Sequence, residues 1–176
     1  MAFTIIGVDP SQNESLREIE HKTGPSNFFR IMAHRPEAMR DAAKFYFSVM
    51  GPGSIDRRTK EMIYLAVSSV NECDYCGSHH EVAAREAGLS EQEIEDIRAE
   101  TDVRFSARER AALHYARELT RTAAAENDTR SMLETLFSPE QQVELTLVIS
   151  LANFTNRFNN GLSVPREKAE KHHVAS

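Results

Sequence analysis

Apolar residues in this chain recur at three- and four-residue intervals, and no stretch alternates apolar with polar side chains as a half-buried strand must. That pattern confines the fold to packed helices, and the turn residues agree with it. Ser11-Gln12-Asn13-Glu14 reads as a capping box opening a polar helix that stops near Gly24-Pro25. Phe28, Phe29, Ile31 and Met32 make a short apolar segment. Pro36 then opens a helix through Met39, Ala42, Ala43, Tyr46 and Met50 to the breaker Gly51-Pro52-Gly53. A further helix starts near Asp56 with the stripe Met62, Ile63, Ala66, Val67 and Val70, and another runs from about Asp74 to a cap at Gly88. Ser90 caps a short acidic helix, and Ser106 caps one carrying Ala112, Tyr115, Ala116 and Leu119. Ser138-Pro139-Glu140 begins the longest helix, with Val143, Leu147, Leu151, Phe154 and Phe158, widened by Leu145, Val148, Ile149 and Ala152. A stripe that broad belongs to the core or to a subunit interface. We expect an all-α fold in a single helical domain, which 176 residues suffice to build.

Charge narrows the partners. A net charge of −6 disfavours nucleic acid and anionic membranes, which bind basic faces. No run approaches the roughly 20 apolar residues of a membrane span. The segment Met1-Ala2-Phe3-Thr4-Ile5-Ile6-Gly7 lacks the basic region of a signal peptide. We therefore expect a cytoplasmic protein, in a compartment that keeps thiols reduced.

Only two cysteines are present, in Cys73-Asp74-Tyr75-Cys76-Gly77-Ser78-His79-His80. A bridge across two residues closes too small a loop to restrain the unfolded chain, so this pair serves redox chemistry or a metal. On a helix, Cys73, Cys76 and His80 share one face, Cys76 and His80 are i, i+4 neighbours, and His79 points about 100° away. His80 is thus the candidate base for the Cys76 thiol. Glu72, Asp74 and Glu81 work against a thiolate, and no Lys or Arg lies between Glu61 and Arg85 to offset them. Glu61 either complements the dipole at the start of its helix or orients the histidine. The second reading requires the chain to turn near Asn71–Asp74, because a straight helix holds residues 61 and 76 roughly 22 Å apart. Cys73, Cys76 and His80, with His79 or water, would also suit a zinc ion, although no second ligand pair is present.

His21, His34, His114, His172 and His173 show no partner pattern and read as surface or satisfied residues. Asn153, Asn156, Arg157, Asn159 and Asn160 read as a solvated helix end sooner than as a site wall or interface. A faint echo of Glu61–Ser68 in Glu144–Leu151 sets Asn156 and Asn159 where the cysteines fall, at most a degraded repeat.

The spacing Glu61-x11-Cys73-x2-Cys76-x3-His80, after an apolar helix and before Ala83-Ala84-Arg85-Glu86-Ala87-Gly88, resembles the relay motif of alkylhydroperoxidase D-like proteins in the carboxymuconolactone decarboxylase-like superfamily. The likeness covers residues 36–120 as the core, with 1–35 a helical extension, 121–164 helices completing the domain, and 165–176 a loose polar tail. It implies an all-α homotrimer or homohexamer needing neither cofactor nor metal. It further implies a thiol peroxidase cycle, with Cys76 peroxidatic, Cys73 resolving, and His80 and Glu61 as the proton relay. The substrate would be a hydroperoxide and the reductant a dihydrolipoyl or thioredoxin-like dithiol. Tyr75 departs from the pattern, since the best-known members have a second relay histidine there. Three other functions remain open: dithiol–disulfide exchange without peroxide, a cofactor-independent lactone decarboxylase, and a zinc-stabilised structural protein.

Overall fold

A computed structural model describes residues 5–167, and among them every regular element is helical. His172, His173 and the rest of the expected tail from residue 168 lie outside the described residues. The described residues divide into two compact units, one of residues 5–43 with 162–167 and one of residues 44–161. The sequence pattern carries no sign of that division.

In the first unit, a single 3-10 turn at Pro10–Gln12 precedes α1 (Glu14–Thr23). The cap is Asn13, whose side chain accepts from the Leu16 N–H at 3.0 Å, so the box expected at Ser11 is displaced by two residues. Gly24, at φ +76°, ends α1. Ser26 caps α2 (Asn27–Met32), which buries Phe28, Phe29, Ile31 and Met32. Glu20 joins the two helices by accepting from Arg30 at 2.7 and 3.1 Å and from the Ser26 N–H at 3.0 Å. Pro165 and Glu167, at the start of the expected loose tail, accept from the Asn27 side chain and backbone at 2.9 and 2.6 Å.

α3 (Pro36–Met50) runs from the first unit into the second. The second unit is built round α4 (Arg57–Val70), against which α5 (Asp74–Glu86), α6 (Glu91–Arg98), α7 (Ala107–Thr122) and α9 (Pro139–Gly161) all pack. Every residue of α4 from Thr59 to Ser68 is buried, so this helix is enclosed on all sides. Each of Met62, Ile63, Leu65 and Val67 contributes about 1.5–3 kcal/mol by leaving water. The polar groups of α4 must find partners inside. Lys60, 1% exposed, donates to the carbonyls of Val49 and Gly51 at 2.8 and 2.7 Å and pairs with Glu144 at 2.5 Å. It thereby satisfies carbonyls at the end of α3. Ser68 accepts from Asn156 at 3.2 Å, and Glu61 meets His80.

The expected caps at Ser90 and Ser106 are full capping boxes closed by Glu93 and Glu109. One helix, α8 (Asn127–Leu136), was not marked by the pattern: its buried residues, Thr129 and Leu133, make only a short stripe. On α9 the two apolar sets exchange roles. Leu145, Val148, Ile149 and Ala152 are buried with Leu151, whereas Val143, Leu147 and Phe154 are exposed. No helix among the described residues is long and apolar enough to cross a membrane.

Candidate active site

The site begins with a reversal. α4 ends at Asn71, Glu72 takes a left-handed conformation at φ +51°, and Cys73 turns back into the next helix. The Cys73 N–H donates to the Ser68 carbonyl at 2.9 Å and the Glu72 N–H to Ser69 at 3.1 Å, the two bonds of a Schellman cap. This is the turn that Glu61 needs. It lays α5 against α4, and the Nδ1 of His80 comes within 2.7 Å of the Glu61 carboxylate, across 19 residues of sequence. Both groups are buried. Glu61 therefore orients the histidine, and its other oxygen lies 3.7 Å from the half-exposed Arg57. A carboxylate at Nδ1 selects the tautomer protonated there and frees Nε2 as a base.

Cys73 sits outside the helix as its N-cap, not on a shared helical face with Cys76 and His80. Its backbone is non-helical, at φ −95° and ψ 89°, while its carbonyl already accepts the first bond of α5 from the Gly77 N–H at 2.9 Å. Both thiols are free and buried. The Cys76 thiol is held well below its ordinary 9.0, at about 6. A hydrogen bond from Cys73 contributes most, burial opposes it, and Asn159, Asn156 and the neighbouring His80 add to the lowering. Cys73 moves the other way, raised first by serving as that donor and second by burial. The pair is therefore polarised, with the thiolate on Cys76.

The acidic neighbours do not prevent this. Glu72 and Asp74 are exposed to water, and Glu81 is engaged by Arg98 and, at 3.4 Å, by Arg85. Tyr75 is buried with its ring 4.6 Å from that of the exposed His79. The ring stacked on His80 is Tyr64, 3.5 Å away at 13°, with its hydroxyl 2.6 Å from Thr155. Burial holds the Tyr64 phenol well above its usual range. Tyr46 packs edge-on to Tyr64, and its phenol is likewise raised, by burial and then by Glu61 and Cys76.

The residues that sequence reasoning misplaced are Asn156 and Asn159. They are 0% and 3% exposed, not a solvated helix end. Asn159 donates from Nδ2 to the Cys76 sulfur at 3.1 Å. Positions 145, 148, 152, 156 and 159 continue one buried face of α9 at helical spacing, and extending the apolar stripe by two turns marks both asparagines. His34 and His114, by contrast, are satisfied by the Ile6 carbonyl at 2.8 Å and Thr129 at 3.1 Å. Among the described residues, no group of three or more His, Cys, Asp or Glu is arranged to hold a metal ion.

Residues 36–118 match the carboxymuconolactone decarboxylase family. An alkyl hydroperoxide reductase AhpD of Azorhizobium caulinodans is 45% identical over 53 residues, which is 30% of this chain and 29% of that protein. An uncharacterized peroxidase-related protein from Silicibacter sp. TM1040 superposes with a TM-score of 0.80 at 25% identity, covering 96% of this chain and 91% of that one. A variant of the debrominase Bmp8, in complex with 2,3,4-tribromopyrrole, has the same fold, with a TM-score of 0.80 at 21% identity over 93% of this chain and 92% of that one. One fold thus carries more than one chemistry, and function has to be argued from the site.

Proposed function

We propose that this chain, which belongs to the alkylhydroperoxidase D-like branch of the carboxymuconolactone decarboxylase superfamily, is a thiol-dependent hydroperoxide reductase. The observation that carries the reading is the buried Glu61–His80 contact of 2.7 Å beside a thiol held at about 6. A thiolate present at neutral pH is the nucleophile that peroxide reduction requires. Glu61 holds His80 so that Nε2 exchanges a proton with Cys76 through an intervening water and returns it to the departing alkoxide.

The cycle has three steps. Cys76 attacks the terminal oxygen of the hydroperoxide, yielding a sulfenic acid and an alcohol. Cys73 then attacks the Cys76 sulfur, expelling water and closing the Cys73–Cys76 disulfide. A dihydrolipoyl or thioredoxin-like dithiol reopens it by exchange. Burial of both sulfurs favours a small hydroperoxide as first reactant over a protein disulfide. The exposed Val143, Leu147 and Phe154 share one face of α9 and suit a homo-oligomer, a trimer or hexamer in this family.

The test is hydroperoxide consumption with a supplied dithiol, run beside Cys76→Ser. Turnover in the native chain and none in the variant is the expected result. Equal rates in both remove the reading.

A further inference from the structure

The two asparagines of α9 near Cys76 are bonded differently. Asn156 is engaged at both ends: its amide nitrogen donates to Ser68 at 3.2 Å and its oxygen accepts from Asn71 at 3.1 Å. Asn159 spends its nitrogen on the Cys76 sulfur at 3.1 Å, while its Oδ1 is buried without a hydrogen-bond partner. A buried amide oxygen left unpaired is costly, and native proteins carry few of them. This one belongs to the same planar amide whose other end touches the reacting atom.

Oxidation changes what that atom needs. A thiolate only accepts hydrogen bonds, and the Asn159 N–H supplies one. In the first step the sulfur electron pair forms an S–O bond to the terminal oxygen of R–O–O–H. The O–O bond breaks, sulfur is oxidised as the peroxide is reduced, and the alkoxide leaves as ROH with the proton held on His80. The new hydroxyl on Cys76 retains its own proton and is a donor in a buried place. Of the two amides bonded to Cys76, Asn159 is the one whose oxygen accepts no hydrogen bond, whereas the Asn156 oxygen already holds Asn71.

We propose that Asn159 is a catalytic residue with two successive tasks: its Nδ2 donates to the Cys76 thiolate before oxidation, and its vacant Oδ1 accepts the hydroxyl of the Cys76 sulfenic acid afterwards. The second task rests on the peroxidase reading, whereas the first does not.

Two variants of the full chain separate the tasks. Asn159→Leu removes donor and acceptor, while the nearly isosteric Asn159→Asp removes the donor and keeps an acceptor. The first readout is alkylation of Cys76 by iodoacetamide from pH 5 to 9, resolved by peptide mass spectrometry. Asn159→Leu should move its midpoint upward by about one unit, slowing alkylation below the midpoint about tenfold, and Asn159→Asp should move it at least as far because its carboxylate sets a like charge against the thiolate. The second is the lifetime of the sulfenic acid formed by one equivalent of hydrogen peroxide in Cys73→Ser, trapped with dimedone. Asn159→Leu should shorten it severalfold and Asn159→Asp should preserve it. Unchanged alkylation profiles in both folded variants overturn the donor task, even where the native chain consumes peroxide. Equal sulfenic acid lifetimes in all three proteins overturn the acceptor task. Shifted alkylation in a chain that forms no sulfenic acid defeats the peroxidase reading and the acceptor task while the donor task stands.

Discussion

Replacing Glu61 with glutamine is the sharpest single test of the relay. The change keeps size and shape but removes the charge that faces His80 at 2.7 Å in a buried contact. It also places an amide that can donate where a carboxylate could only accept, inviting the imidazole to adopt the opposite tautomer. A hydrogen bond to a charged group contributes about 1.5–3 kcal/mol, and about 1.4 kcal/mol is tenfold in rate, so the first oxidation should slow roughly ten- to a hundredfold. The assay is a single turnover with limiting hydrogen peroxide, following loss of free Cys76 by quenched alkylation across pH 5 to 9, with thermal melts beside it. The variant should fold normally, react slowly throughout and show a displaced pH profile. Arg57→Ala is the control: Arg57 is half-exposed and 3.7 Å from Glu61, so its loss should change the rate by less than about threefold. A Glu61→Gln protein that reacts within twofold of the native rate, with an unchanged profile, would refute the relay. Glu61 would then be a buried acidic residue in the second turn of α4 with a structural role only.

The native chain should alkylate at Cys76 with a midpoint near pH 6, rising with pH as the thiolate forms and flat by pH 8, while Cys73 stays unreactive. Equal labelling of both cysteines at pH 7 would contradict the polarised pair. Lys60→Met should lower stability by about 3 kcal/mol in urea unfolding, since it removes the cation that faces Glu144 and the donor to the carbonyls of Val49 and Gly51; a change below 1 kcal/mol would mean these groups rearrange freely. Glu72→Gly should raise stability by about 1 kcal/mol, read from the same curves, because Glu72 holds a left-handed conformation that costs a residue with a side chain about that much. Light scattering should give a mass several times 19.9 kDa, and Leu147→Glu should reduce it; a monomer in both would remove the oligomer.

The helices were legible because period and caps are local properties. Asp56, Ser90 and Ser106 cap where the pattern places them, through side-chain bonds to N–H groups three residues on. The Glu61–His80 contact was legible only as a condition, since it depends on a reversal whose pivot is a glutamate rather than the glycine that usually announces one. What stayed hidden was long-range. Val143, Leu147 and Phe154 look like core by hydropathy, and only the packing of α9 against α4, α5 and α7 shows which stripe faces inward. The same rotation carries Asn156 and Asn159 to the thiol. An asparagine has no hydropathy that distinguishes a buried donor from a solvated one, so its role follows from its face and not from its type.

For the proposed cycle, the hydrogen bond between the two sulfurs would also set a timetable. While Cys76 is a thiolate, Cys73 is kept protonated chiefly by donating to it, and so is a poor nucleophile. Conversion of Cys76 to a sulfenic acid abolishes the negative charge that held the proton in place. The main cause of the Cys73 shift then disappears, and the second thiol becomes easier to ionise only once there is something for it to attack. The interaction that readies the first sulfur is the one that keeps the second waiting. In the proposed cycle, premature use of Cys73 would thus be held back by the charge state of its neighbour, without a moving lid or an outside signal.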